Sequence, residues 1–89
     1  MNTQHFILYT SKPAEARVAT REEISQIFEE LIAQDTLEVL AEEGQADDLS
    51  LLAEVASDED KVFNVYDRDT ASRIVHPQAQ HLARRLGWV

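Results

Sequence analysis

Residues 20–32, TREEISQIFEELI, carry the reading on which the rest of the chain depends. Ile24, Ile27, Phe28, Leu31 and Ile32 recur at i, i+3, i+4, i+7 and i+8, which on a 3.6-residue period forms one apolar stripe. Thr20 followed by Glu23 is a capping box: the hydroxyl accepts from the amide three residues on, and the carboxylate reaches back to the cap amide. The stretch therefore reads as a helix with one apolar face that needs a partner surface. Its other face, with Glu22, Gln26, Glu29 and Glu30, opens an unusual segment. From Glu22 to Asp60 there is no Lys or Arg, while fourteen of the thirty-nine residues are Asp or Glu.

Working outward, residues 34–44 lose the phase of that stripe. Asp35-Thr36-Leu37-Glu38 repeats a cap-like spacing, and Gly44 is a natural residue to end a helix, so a short second helix is expected from about Thr36 to Glu43. Glu38 and Glu42, four apart, place like charges side by side, a mild local penalty. Asp47-Asp48 starts a third helix, because a carboxylate there meets free amides and the positive end of the helix dipole. Leu49, Leu52, Ala53, Val55 and Ala56 form its stripe, and Ser57 to Asp60 reads as a solvated loop.

Towards the amino terminus, His5 to Thr10 is a run of apolar, aromatic and β-branched residues too short for a helix. It reads as a strand covered on both faces, hence central in its sheet. Ser11-Lys12-Pro13 closes it, and residues 13–19 read as a connection with Val18 reaching back to the core. Towards the carboxy terminus, Lys61 to Asp67 is a second strand, with Phe63 and Val65 on one side. Asp67 to Thr70 carries turn chemistry, and Ala71 to Val75 reads as a return strand completing a hairpin. Pro77 suits the first position of a last helix, whose Ala79, Leu82, Ala83 and Leu86 form a stripe; Arg84 and Arg85 favour its end, Gly87 stops it, and Trp88 can fold back. The expected class is α+β: a three-stranded antiparallel or mixed sheet with about four helices, in the order β-α-α-α-β-β-α.

The 89 residues, 44% hydrophobic, suit a single compact domain spanning 1–89 with a modest core. There is no cysteine, which removes disulfides and thiolate metal sites. Met1 to His5 lacks the basic character of a secretory leader, and no apolar run approaches a membrane span, so a cytoplasmic location is expected. The formal charge of −9 is uneven, with a net −12 over residues 1–60 and +3 over 61–89.

Chemistry is sparsely represented. Asp67, Asp69 and His76 or His81 are the candidate acid–base groups, but Asp-x-Asp in a turn is ordinary turn chemistry, and the chain lacks a phosphate loop, a nucleophile elbow and a zinc signature. His76 and His81 are five apart, off the spacing that would place both imidazoles on one helix face, and Asp58-Glu59-Asp60 lacks the alternating oxygens of a calcium loop. No cofactor, metal or catalytic residue is expected. Arg73, His76, His81, Arg84 and Arg85 could cluster, but the overall charge opposes direct nucleic-acid binding.

Recognition of a basic protein surface is the reading that fits. Glu22, Glu29, Glu30, Glu38, Glu42, Glu43, Asp47, Asp48 and Glu54 are the expected partner-binding residues, imitating the charges of a nucleic-acid backbone before a protein that binds one. In size, acidity and lack of cysteine the chain is similar to phage- and plasmid-encoded anti-defence inhibitors and to nuclease immunity proteins, a likeness of bulk properties and not of motif. The alternative is an accessory protein-interaction domain, homodimeric through the apolar Leu37, Val39 and Leu40, with acidity serving solubility.

Overall fold

The computed structural model describes residues 3–89; Met1 and Asn2, the first residues of the leader reading, lie outside them. The chain runs through β1 (His5–Ser11), β2 (Ala14–Thr20), α1 (Arg21–Leu31), α2 (Gln34–Glu42), α3 (Leu49–Ala56), β3 (Phe63–Tyr66), a 3-10 turn at Ala71–Arg73 and α4 (Pro77–Arg85). The strands form one antiparallel sheet in the order β2-β1-β3. The α+β class, with a three-stranded sheet and four helices, is as expected from the sequence.

β1 is central because both its faces are apolar. Phe6 and Leu8 point to one side, where they join Ile24, Phe28, Leu52 and Phe63 under α1 and α3. Ile7 and Tyr9 point to the other, where they join Ala71, Ile74, Ala79 and Ala83 under α4. The molecule is a three-layer slab, 38 × 36 × 18 Å, with α1–α3 on one face of the sheet and α4 on the other.

Two expectations about the strands are corrected. Residues 13–19 are not a connection: Ala14–Thr20 is a strand along the whole of β1, paired from His5 with Thr20 to Ser11 with Ala14. Its Ala, Glu and Arg residues are helix formers by intrinsic preference, and pairing to an apolar neighbour overrides that preference. The hairpin is therefore β1–β2, joined through Lys12-Pro13. Ala71–Val75 is not a return strand. Asp67 and Thr70 close on one another, the Thr70 amide donating to Asp67 Oδ1 at 2.9 Å and the Asp67 amide to Thr70 Oγ1 at 2.9 Å. The chain then continues into the 3-10 turn, with Arg73 N–H donating to the Thr70 carbonyl, and buries Ala71 and Ile74 under the sheet.

The helix ends follow their local chemistry. Both halves of the capping box at Thr20 and Glu23 are made, and Asp48 caps α3 by accepting from Leu51 N–H at 3.1 Å. The expected cap at Asp35 is not used: α2 begins two residues earlier than the expected Thr36, with Ala33 at its cap and no side-chain cap. Gly44 and Gly87 take the left-handed conformation, φ 73° and 76°, and the amides of Gln45 and Trp88 bond back to Leu40 and Ala83. That arrangement satisfies carbonyls the helix leaves free. It also turns Trp88 onto the α4 side of the core. Leu31, expected in the α1 stripe, is 54% exposed, because the helix ends there and Ile32 turns inward in its place. Among the described residues, no helix is long and apolar enough to cross a membrane.

Candidate functional site

All nine carboxylates expected to bind a partner are exposed, and all sit in or beside α1–α3, on the side of the sheet opposite α4 with its Arg84 and Arg85. Two salt bridges occur among the described residues, Lys12–Asp60 at 3.9 Å and Arg17–Glu23 at 3.3 Å, and neither involves any of the nine. The amphipathic pattern explains this placement: once Ile24 and Phe28 are buried, Glu22, Glu29 and Glu30 must project from the far side of α1, within about 100° of one another around the helix axis. In α2, burial of Leu40 likewise sends Glu38 and Glu42 outward.

The nine are not one cluster. Glu29 and Glu38 come together, lining a groove of about 400 Å³ between α1 and α2 whose other walls include Ser25, Gln34, Leu37 and Leu52. Asp47 and Asp48 lie at another margin, beside Phe6, Arg21 and Asp67. There the Arg21 guanidinium sits 5.2 Å from the Phe6 ring centroid and donates to the Asp47 carbonyl at 2.7 Å. Glu54 faces a third region, the cleft between α3 and β3 with Ser57, Val62 and Asn64. Glu22, Glu30, Glu42 and Glu43 are exposed and line none of these three places.

One acid outside the nine has a distinct setting. The Glu23 carboxyl is held below its ordinary value of 4.5, chiefly by the N–H of Thr20, then by the Thr20 hydroxyl, with the charges of Arg17 and His5 adding to the effect. On the α4 side, burial and the neighbouring Tyr9 push the Tyr66 hydroxyl up.

The residues considered for acid–base chemistry are placed apart. Asp67 is turned onto Thr70 and lines the Arg21 cleft. Asp69 borders a different hollow with His5, Arg68 and Trp88. His76 lies against Tyr9, on the other side of the sheet from the Arg21 cleft. Among the described residues no three His, Asp or Glu side chains are grouped to hold a metal ion.

The apolar alternative is narrowed. Leu40 belongs to the core and Leu37 packs against it, so of the three only Val39, 51% exposed, faces solvent freely. Sequence reasoning also missed the free edge of β2, because it missed the strand. The signal available was the alternation in AEARVAT, with Glu15, Arg17 and Ala19 on one face and Ala14, Ala16 and Val18 on the other. No protein-family model, curated protein or solved structure matches this chain.

Proposed function

We propose that this chain is a small acidic binding protein without enzymatic activity, acting in the cytoplasm, that docks its α1–α3 layer on the basic surface of a nucleic-acid-binding protein and blocks access of the nucleic acid. The observation that carries this reading is the one-sided distribution of charge: fourteen acids without an intervening base lie between Glu22 and Asp60. That segment covers one face of the sheet and α4 the other. In α2, Glu38 stands three residues from Asp35 and four from Glu42, and no base in that helix relieves the cost of these like-charge pairs. A negative layer of this kind steers a basic partner at long range, competes for the same groove as phosphates, and fits an anti-defence inhibitor or a nuclease immunity protein.

The immobilised chain is expected to retain proteins from a cell lysate that are released both by ~0.5 M salt, since screening is already short-ranged at 0.15 M, and by added duplex DNA. Glu29→Lys together with Glu38→Lys, which reverses the two acids of the α1–α2 groove, is expected to weaken capture about tenfold at low salt. Retention that survives both salt and duplex DNA would overturn the reading and favour docking through the apolar surface near Val39.

A further inference from the structure

The two edges of the sheet are not equivalent. Residue parity in the strands follows from two hydrogen bonds. Ser11 N–H donates to the Val62 carbonyl at 3.1 Å, so the odd-numbered residues of β1 face β3 and the even-numbered ones face β2. Phe63 N–H agrees: it points away from β1 and donates to Ser57 Oγ at 2.9 Å. The outer edge of β3 is thus engaged at Phe63 by the residue that ends α3. Carried through the register, in which Thr10 pairs with Glu15 and Leu8 with Arg17, the same parity directs the main-chain groups of Ala14, Ala16 and Val18 away from the sheet. Among the described residues, no side chain or loop bonds to those three. An uncovered edge strand of seven residues is a template for another strand.

We infer that the edge of β2 pairs antiparallel with β2 of a second copy of this chain, Ala16 opposite Ala16, extending the sheet from three strands to six across a two-fold axis. The charges select both partner and register. Outward-facing residues must meet outward-facing residues, so the register moves in steps of one pairing. Centring on Glu15 would set Glu15 against Glu15, and centring on Arg17 would set Arg17 against Arg17. Centring on Ala16 sets Ala14 against Val18 and Glu15 against Arg17, twice, with about six main-chain hydrogen bonds. Glu15 and Arg17 then occupy the non-hydrogen-bonded positions, where side chains approach most closely. Both are exposed in the single chain, and Arg17, which meets Glu23 at 3.3 Å, has further donors for a second carboxylate. Ala16 packs on the α4 side of the core, where Pro77, Gln78 and His81 of α4 flank this edge. This pairing is independent of the proposed partner-binding role, and it would place two acidic layers on the same face of one sheet.

The contact is small, so the test spans ~10 μM to 1 mM chain, measured by sedimentation equilibrium without any partner protein. A monomer–dimer equilibrium is expected. Glu15→Arg alone and Arg17→Glu alone each set like charges opposite one another and are expected to weaken it about tenfold, while the double exchange restores it. Ala16→Pro removes an outward N–H that the single chain does not use; it is expected to leave a folded monomer. In the wild type, exchange of the Ala14, Ala16 and Val18 amides should slow about tenfold as concentration rises. A chain monomeric at 1 mM, or a dimer indifferent to the charge exchanges and to Ala16→Pro with circular dichroism unchanged, would overturn the proposal.

Discussion

The imidazole of His76 lies flat on the ring of Tyr9, with centroids 3.8 Å apart and planes 6° from parallel. Tyr9 belongs to β1 and His76 caps α4, so the stack fixes where the last helix begins over the sheet. Removing the imidazole uncovers Tyr9, which is buried. His76→Ala is expected to lower stability by about 1 kcal/mol, and His76→Phe to retain most of it, both read from urea unfolding midpoints at constant slope.

A second expectation concerns the start of α1. Thr20 caps the helix and Glu23 closes the box at 3.0 Å on the Thr20 amide. Thr20→Ala should cost about 1 kcal/mol. The pH dependence follows from the depressed Glu23 carboxyl. The folded chain binds this proton less readily than the unfolded one, whose value is near 4.5, so the contribution is present above that pH and is lost as pH falls through the lower folded value. The difference in melting temperature between wild type and Glu23→Gln should therefore be constant at neutral pH and shrink below about pH 4.5.

Phe28 is the third. It is wholly buried and meets the edge of Phe63, with centroids 5.7 Å apart and planes at 86°. Truncating such a ring costs about 3–5 kcal/mol, against a total of about 5–15 kcal/mol for an ordinary domain. Phe28→Ala should leave a chain that unfolds at low denaturant and loses near-ultraviolet circular dichroism first, whereas Phe28→Leu should fold.

Ser57 provides the fourth. Its hydroxyl donates to the Ala53 carbonyl at 2.6 Å and accepts from Phe63 N–H at 2.9 Å. Ser57→Ala orphans the Phe63 amide at the sheet edge. The expected result is a loss of about 1 kcal/mol and faster hydrogen exchange at Phe63, with the amides of β2 unaffected.

The sequence was legible wherever the cause of structure was local. The Thr20–Glu23 box, the Asp48 cap, the Gly87 stop and the two-sided burial of Phe6 to Tyr9 depend on residues a few positions apart, and each is present as expected. β2 was illegible because its strand character comes from β1 beside it, not from its own Ala, Glu and Arg. The error at Ala71–Val75 has a related origin. Ile74 and Val75 resemble a strand in isolation, but the Asp67–Thr70 turn rotates the chain across the α4 face, leaving Val75 72% exposed. For the candidate site, sequence located the acids on exposed helix faces but not their division among the Glu29–Glu38 groove, the Arg21 margin and the α3–β3 cleft. That division depends on how three helices are set against one another, which no spacing within one helix encodes.

The double-sided burial of β1 has one more consequence. In most sheets a strand that slips by one position turns its greasy residues to water, and this penalty protects the alignment. Here Phe6, Ile7, Leu8 and Tyr9 are all interior, so a slip would carry three of the four from one hydrophobic compartment to the other and displace only the residue at the end of the run, with His5 or Thr10 drawn in at the opposite end. Alignment must instead be enforced by side-chain volume, with Phe6 and Leu8 matched to one compartment and Ile7 and Tyr9 to the other, and by the tight link between Ser11 and Ala14. Lengthening that link by one residue should therefore yield a misthreaded but still collapsed protein rather than an unfolded one.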